Sequence, residues 1–401
     1  MFYFSWFGIS KLNYFNNKIV FLTPVNKNIN NTNNRTYTVL VAPLDWGLGH
    51  ASRCIPLIEK FLFAGFKVII AAEGDQKILL QSVFPELETV QLNGYNLKYG
   101  STKLLTILKI IFQVPRILIA INEERKWLGR YIRSKHLDII VSDNRFGLHN
   151  NQVLSVFITH QLRIKTSLGR LTDSFIQKMN YHFINQFDYC VVPDAAGGNN
   201  LAGALSHPAR KPATKLLYTG VLTAIAKEDL PVTNKLLILL SGPEPQRTIL
   251  EDILLQQLAH ITFPAVLIRG LPSAGRKLSP RDNLTVYDYL SGRQLQQVIN
   301  AAEIIISRSG YSTIMDLLPL GKKCIFIPTP GQAEQEYLAA WLKDKNYACS
   351  GLQHNFSLPL LIEEASELQS PDLSFLKSPD RINDAISTFI TRLNAKQISP
   401  D

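Results

Sequence analysis

The chain has 401 residues, 46% of them hydrophobic and 18% charged, and carries a net charge of +10. That length exceeds what one hydrophobic core organises, and that composition excludes a disordered chain, so two globular domains are expected. The positive balance favours an anionic partner: nucleotide phosphates, an acidic lipid surface or nucleic acid.

In chain order, residues 1–35 begin "MFYFSWFGISK", aromatic but lacking the basic start and small-residue cleavage site of a signal peptide. They continue into the Asn-rich "NKNINNTNNR" and read as a tail outside the fold, such as a mis-called start codon would add. From Tyr37, strand and helix patterns alternate. "YTVLVA" is a short apolar strand, a Gly-containing loop follows, and "ASRCIPLIEKFLFAG" has helical spacing with a Gly stop. "KVIIAA", "LDIIVS", "QVLSVFI" and "DYCVVP" read as buried strands, with helical patterns at 102–135 and 164–187 between some of them. The most apolar stretch, Leu104 to Ile121, is interrupted by Lys109, Gln113, Pro115 and Arg116, which argues against a bilayer span.

The loop Gly220 to Asn234, containing "KEDLPVTN", reads as an interdomain linker. A second series follows: "KLLILLSG", "AVLIRG", "LTVYDY", "EIIISRSG" and "KCIFIP". Continuous apolar strands alternating with helices imply parallel sheets covered on both faces. The expected architecture is α/β, two doubly wound Rossmann-like domains at 36–220 and 235–380, then a C-terminal helix and tail at 381–401. The helix, Arg381 to Leu393, is expected to pack back across the interdomain cleft. Cys54, Cys190, Cys324 and Cys349 have no paired spacing, so neither a zinc site nor a disulfide framework is indicated, which fits a reducing cytoplasm.

Three loops fall at the carboxyl ends of strands, where such sheets bind ligands. "PLDWGLGHASR" sets Gly47 and Gly49 between strand and helix, with His50 just before the helix start. It lacks the G-x-G-x-x-G spacing, so a nicotinamide cofactor is not expected. "SGPEPQRT" carries Ser241, Gly242 and Arg247 in a turn that can face a phosphate. "SRSGYST" is more informative: Arg308, Ser309, Gly310 and Thr313 lie at a tight turn into a helix that also carries Asp316. A helix start offers free N–H groups to an anion, and a carboxylate a turn and a half further on suits the vicinal hydroxyls of a ribose. In "PTPGQAEQEY", the side chains of Gln335 and Glu336 can hydrogen-bond sugar hydroxyls. Together these features describe a nucleoside diphosphate with a sugar attached. A capped surface helix and a Pro-rich turn remain the plain alternatives for each motif taken alone.

These motifs resemble the carboxyl-terminal domain of glycosyltransferase family 28, and with "GLGH" the similarity spans roughly residues 37–395. Best-known members make a lipid-linked peptidoglycan precursor and plant galactolipids. The resemblance implies a GT-B architecture, donor in the second domain, acceptor in the first, inversion at the anomeric carbon, and no required metal or cofactor. By position it makes Asp316 the ribose-binding acid and Gln335 the first of a donor-sugar Gln pair, with Glu336 replacing the second. "SGPEPQRT" takes the place of a Gly-rich phosphate loop, and His160 in "ITHQ" that of a cleft histidine. His50 is the preferred general base, because imidazole titrates near working pH. Asp45 or Asp143 could take that role or orient His50, and Arg308 or Arg247 could stabilise the leaving diphosphate.

The expected activity is inverting transfer of a hexose, N-acetylglucosamine or similar, from a UDP-sugar to a lipid-linked or other hydroxyl acceptor. A UDP-sugar hydrolase or 2-epimerase, or a non-catalytic UDP-sugar binder, shares the architecture. Lys98, Lys103, Lys109, Arg116, Arg125, Lys126, Arg130, Arg133 and Lys135 suit docking on an anionic membrane, giving a cytoplasmic protein peripheral on the inner face. An ordinary basic helix covering the sheet explains them equally well. RNA binding has the charge but none of the motifs, so no nucleic-acid partner is expected.

Overall fold

The computed structural model describes residues 35–45, 47–95, 103–166, 169–271, 278, 282–369, 373–376 and 381–398, without the side chains of 103–112, 170–171 and 396–398. The expected tail, apart from Arg35, lies outside these residues, as do Lys98 and the side chains of Lys103 and Lys109.

Apolar runs four to six residues long make the strands. In the first half these are β1 (Thr38–Pro43), β2 (Lys67–Ala72), β3 (Glu88–Gln91), β4 (Ile139–Asp143), β5 (Leu154–Ile158), β6 (Tyr189–Val192) and β7 (Lys215–Tyr218). Every residue of β1, β4 and β5 is buried, as a sheet covered on both faces requires. The covering helices are α1 (Leu48–Phe63), α2 (Gly74–Val83), α3 (Lys103–Ser134) and α4 (Arg170–Ile184). All pairings are parallel and the order is β3-β2-β1-β4-β5-β6-β7. The order reverses between β1 and β4, so the loops leaving those two strands diverge and open a crevice.

The second half repeats the plan with β8 (Asn234–Leu239), β9 (Ala265–Ile268), β10 (Leu284–Tyr287), β11 (Ala302–Ser307), β12 (Lys323–Phe326) and β13 (Cys349–Ser350). Its helices are α5 (Gln246–Gln257), α6 (Gly292–Asn300), α7 (Tyr311–Leu317), α8 (Ala333–Asp344), α9 (Leu358–Glu367) and α10 (Arg381–Ile398). This sheet is also wholly parallel, in the order β10-β9-β8-β11-β12-β13, and reverses between β8 and β11.

Between β7 and β8 no residue is in a helix or strand, but the connection is pinned to the second half. Ala226 N donates to Gln296 Oε1 at 3.1 Å, and Asn300 Nδ2 returns a bond to Ala226 O at 3.0 Å. Two segments tie the halves together. Ala195, Leu201, Ala202 and Leu205 bury their side chains in the core of the second sheet. In return, α10 lays Phe389 against Tyr189 at 5.5 Å between ring centroids, and Tyr37 bonds Asn394. The last helix therefore does pack back onto the first half, because its apolar stripe (Ile382, Ala385, Ile386, Phe389, Ile390, Leu393) is buried.

Candidate active site

The first crevice collects charge. Gly47 caps α1 with φ 80°, a left-handed conformation that suits glycine. That turn starts the helix at Leu48, so His50 lies in its first turn and not before it as the sequence suggested. Asp143 ends β4, opposite Pro43 of β1, which brings it beside α1. His50 Nδ1 is 3.0 Å from Asp143 Oδ2. Arg53, three residues on and so on the same helix face, donates Nε to that oxygen at 2.8 Å and pairs with Oδ1. Both Arg53 and Asp143 are buried; the His50 side chain is 16% exposed.

Arg53 Nη2 also lies 2.7 Å from His50 Nδ1, but one nitrogen cannot both accept from Arg53 and donate to Asp143. Arg53 already spends Nε and Nη2 on the carboxylate, so the tautomer that satisfies all three groups carries the proton on Nδ1. His50 Nε2 is then a bare acceptor. Burial, then the Arg53 guanidinium, holds the imidazole below its ordinary value of 6.5, so it is neutral at neutral pH. Burial alone would raise Asp143, but Arg53 and His50 outweigh it and hold the carboxyl at about 2.

The second crevice lacks such a cluster. Ser241 and Gly242 leave β8 exposed, with Gly242 at φ 99° and open space where a Cβ would stand. Gly310 caps α7, which lasts seven residues, and Thr313 sits beside it. Asp316, half-buried on α7, accepts a bond from Thr223 Oγ1 of the linker at 2.6 Å, and no cation pairs with it among the described residues. Burial pushes its carboxyl up to about 7.

The two crevices meet. Ser312 of α7 donates to Gly49 O at 3.1 Å, and a Cβ on Gly49 would stand 2.8 Å from Ser312 Oγ, so a glycine in the first turn of α1 is what lets the halves approach. His160, beyond β5, stacks on Tyr311 of α7 at 4.1 Å and sets Nε2 2.6 Å from Glu334 Oε1 on α8.

Several side chains expected to touch ligand are held by the protein itself. Arg308 is buried and donates to Ile327 O and Pro328 O at 3.2 Å and to Gln246 O at 2.6 Å, tying the segment after β12 to α5. Arg247 is buried and donates to Glu244, Thr248, Glu251 and Arg269 O. Both depart from a phosphate-facing role: their guanidinium groups saturate backbone and carboxylate acceptors below the loop surface. Asp45 accepts from Tyr95 N at 2.9 Å and shapes the loop after β3. Gln335 Oε1 and Glu336 Oε1 accept the backbone N–H groups of Thr329 and Gly331, both at 2.9 Å, and Ser309 Oγ donates to Gln335 O at 2.8 Å. These residues order the "PTPGQ" loop, so a sugar would have to share or displace those bonds.

Sequence reasoning missed Arg53, Thr223 and Glu334 as members of the site. Arg53 had a local signal, three positions after His50; Thr223 had none.

A model of the glycosyltransferase family 28 C-terminal domain matches residues 254–393, from α5 to α10. The fold around the two crevices is that of GT-B enzymes, with parallel sheets like theirs. The carboxyl-terminal half is a family 28 glycosyltransferase domain on a GT-B fold.

The UDP-N-acetylglucosamine--N-acetylmuramyl-(pentapeptide) pyrophosphoryl-undecaprenol N-acetylglucosamine transferase of Sulfurihydrogenibium sp. (strain YO3AOP1) is 32% identical over 118 residues, which is 28% of this chain and 32% of that one. An uncharacterized glycosyltransferase of Methanosarcina acetivorans is 24% identical over 337 residues, 78% of this chain and 84% of its own. Among solved structures, the glycotransferase of kitacinnamycin superposes with a TM-score of 0.62 at 14% identity, covering 90% of this chain and 99% of that one. The MurG of Acinetobacter baumannii gives 0.53 at 13%, covering 89% and 100%. Similarity to a protein named as a glycosyltransferase thus extends beyond the family 28 domain to most of the chain.

Proposed function

We propose that this family 28 protein transfers a hexose, N-acetylglucosamine or similar, with inversion from a UDP-sugar to a lipid-linked or other hydroxyl acceptor. The observation that carries the reading is the His50–Asp143 pair, 3.0 Å apart at the crevice of the first sheet and adjoining α7 of the second. With Nδ1–H held by Asp143, His50 Nε2 takes the proton of the acceptor hydroxyl as its oxygen attacks the anomeric carbon. Arg53 fixes the carboxylate, as a positioning residue. The attack from the face opposite the leaving UDP inverts the centre.

The donor's diphosphate is assigned to the reversal point of the second sheet, between Ser241–Gly242 and Ser309–Gly310 with Thr313, and its ribose to Asp316. Gln335 and Glu336 are the sugar contacts. No cofactor enters this scheme; the UDP-sugar is the donor substrate. The names of the bacterial relatives support N-acetylglucosamine, UDP and a polyprenyl-linked acceptor.

Docking on an anionic membrane from the cytoplasmic side accords with α3. Arg116, Arg125, Lys126, Arg130 and Arg133 on α3 and Lys135 just after it are solvent-exposed, and the same helix exposes Leu118 at 45% and Ile119 at 60%. Among the described residues no helix is long and apolar enough to cross a membrane.

The test is product analysis with UDP-N-acetylglucosamine and a bacterial membrane-lipid extract. Transfer to lipid in the β configuration from the α-linked donor is expected. A putative UDP-N-acetylglucosamine 2-epimerase of Listeria monocytogenes shares the fold at a TM-score of 0.53 and 12% identity. Lipid-independent release of free sugar, or epimerisation, would therefore replace the transferase reading.

A further inference from the structure

His160 belongs to the first half by sequence but sets its ring against two residues of the second. Its ring lies flat on Tyr311 of α7, 11° from parallel, and its edge meets Glu334 of α8 at 2.6 Å. It is 5% exposed, and its other ring nitrogen, Nδ1, has no hydrogen-bond partner. Tyr311 is held in turn by its hydroxyl, which donates to Pro193 O at 2.7 Å after β6. A buried histidine edge committed to a single carboxylate is a costly contact for a surface to keep unless both sides are used together.

We propose that His160 and Glu334 are positioning residues whose pair, made where the two halves meet, fixes His50 against the donor half and sets the electric field around it. The proposal rests on the reading of His50 as the base. The charged groups around His50 come from four elements: Arg53 on α1, Asp143 on β4, His160 beyond β5 and Glu334 on α8. Arg53 and His160 oppose protonation of His50, whereas Asp143 favours it. Glu334 in turn is held below its usual range, against burial, by His160, His50 and Arg53. Glu334 therefore supports a proton on His50, while His160 resists one. Glu334 belongs to the second half, and Ser312, next to Tyr311, donates to Gly49 O one residue before His50, so the pair reaches the base through the contact between the halves.

Two substitutions distinguish this from a merely structural contact, because they remove opposite influences on His50. The measurement is an NMR titration of the histidine imidazoles in the full chain, with His50→Asn identifying the His50 resonance. Glu334→Gln should lower the His50 midpoint and His160→Gln should raise it, each by about 0.5 unit or more. Glu334→Asp, which keeps the charge at shorter reach, should leave the midpoint near wild type. In turnover of UDP-N-acetylglucosamine with a membrane-lipid extract, Glu334→Gln should lower kcat about 10²-fold, more than it raises the KM for the donor. His50 midpoints that stay put, or move the same way in both variants, overturn the proposal. Glu334 is 34% exposed, so its variants keep the test alive if His160→Gln fails to fold. Near-normal transfer by His50→Asn would instead remove the base reading alone. Loss of transfer there, with unmoved midpoints in the Glu334 and His160 variants, would remove only the positioning pair.

Discussion

The two crevices share one topology and handle charge in opposite ways. At the β1/β4 reversal, a carboxylate, a guanidinium and an imidazole are packed into one bonded set, with Asp143 wholly out of solvent. At the β8/β11 reversal, the guanidinium groups of Arg308 and Arg247 are turned away to serve the scaffold. The loop surface keeps glycine and hydroxyls, and on α7 behind it Asp316 has no cationic partner among the described residues. A pre-built charge set suits a group that must hold one tautomer through a reaction. A surface of small residues and an uncompensated carboxyl suits a ligand that brings its own charge and hydroxyls.

Removing Asp143 should give the largest effect, because Asp143→Asn leaves the Arg53 guanidinium buried without its anion. A loss of about 3–5 kcal/mol in chemical denaturation is expected, with transfer abolished. The sign of the pH dependence follows from the depressed carboxyl. Its contribution is present above the unfolded value of 3.8 and is lost as pH falls through about 2. The variant should lack that part of the acid transition; an unchanged acid limb would mean that the pair contributes nothing to folding.

His50→Asn touches only the exposed side of the same set. Transfer should fall about 10²–10⁴-fold while calorimetry shows UDP-sugar affinity nearly unchanged. Near-normal transfer would move the base elsewhere, to Asp45 or His160. Arg308→Met probes the opposite crevice. Removing its bonds to three carbonyls should cost about 2–3 kcal/mol of stability. UDP affinity, measured below the melting range, should change little. A selective loss of UDP binding at full stability would restore Arg308 as a phosphate contact.

How far the sequence disclosed this differs between the crevices for a physical reason. Both sheets were legible in their central strands, because "YTVLVA", "LDIIVS" and "EIIISRSG" are continuous apolar runs. The edge strands β3, β7 and β13 were not, being two to four residues long and only partly buried. The motif loops were found by their glycines and by their place after strands. Which side chains face the crevice was not legible: Arg308 and Arg53 are both arginines near a turn. Only the packing of β12 on β11 directs one to backbone carbonyls, while helix periodicity sets the other on Asp143. Glu334 and Gln335 are adjacent, and one residue of helix phase separates a cross-cleft pair from a loop cap.

Asp316 should show the smallest effect and the one that most sharpens the contrast. Burial raises its carboxyl to about 7, while the unfolded chain titrates near 3.8. The folded protein therefore binds the extra proton between those values, and stability attributable to this group falls as pH rises through the window. Asp316→Asn should flatten that part of the stability profile without a change at pH 4. Binding should respond in the opposite sense. An ionised Asp316 accepts ribose hydroxyls better than a protonated one, so UDP affinity in the wild type should rise as pH passes 7, by about tenfold at most, since a pKa unit is worth about 1.4 kcal/mol. Above pH 8, where Asp316 is ionised, Asp316→Asn should bind UDP more weakly than the wild type; below pH 6 the two should converge. Thr223→Val adds the control: it removes the hydroxyl now on the carboxylate but no charge. It should raise the Asp316 midpoint and shift the pH dependence upward instead of abolishing it. Equal UDP affinity for wild type and Asp316→Asn across the range would return Asp316 to a helix carboxyl that the linker caps.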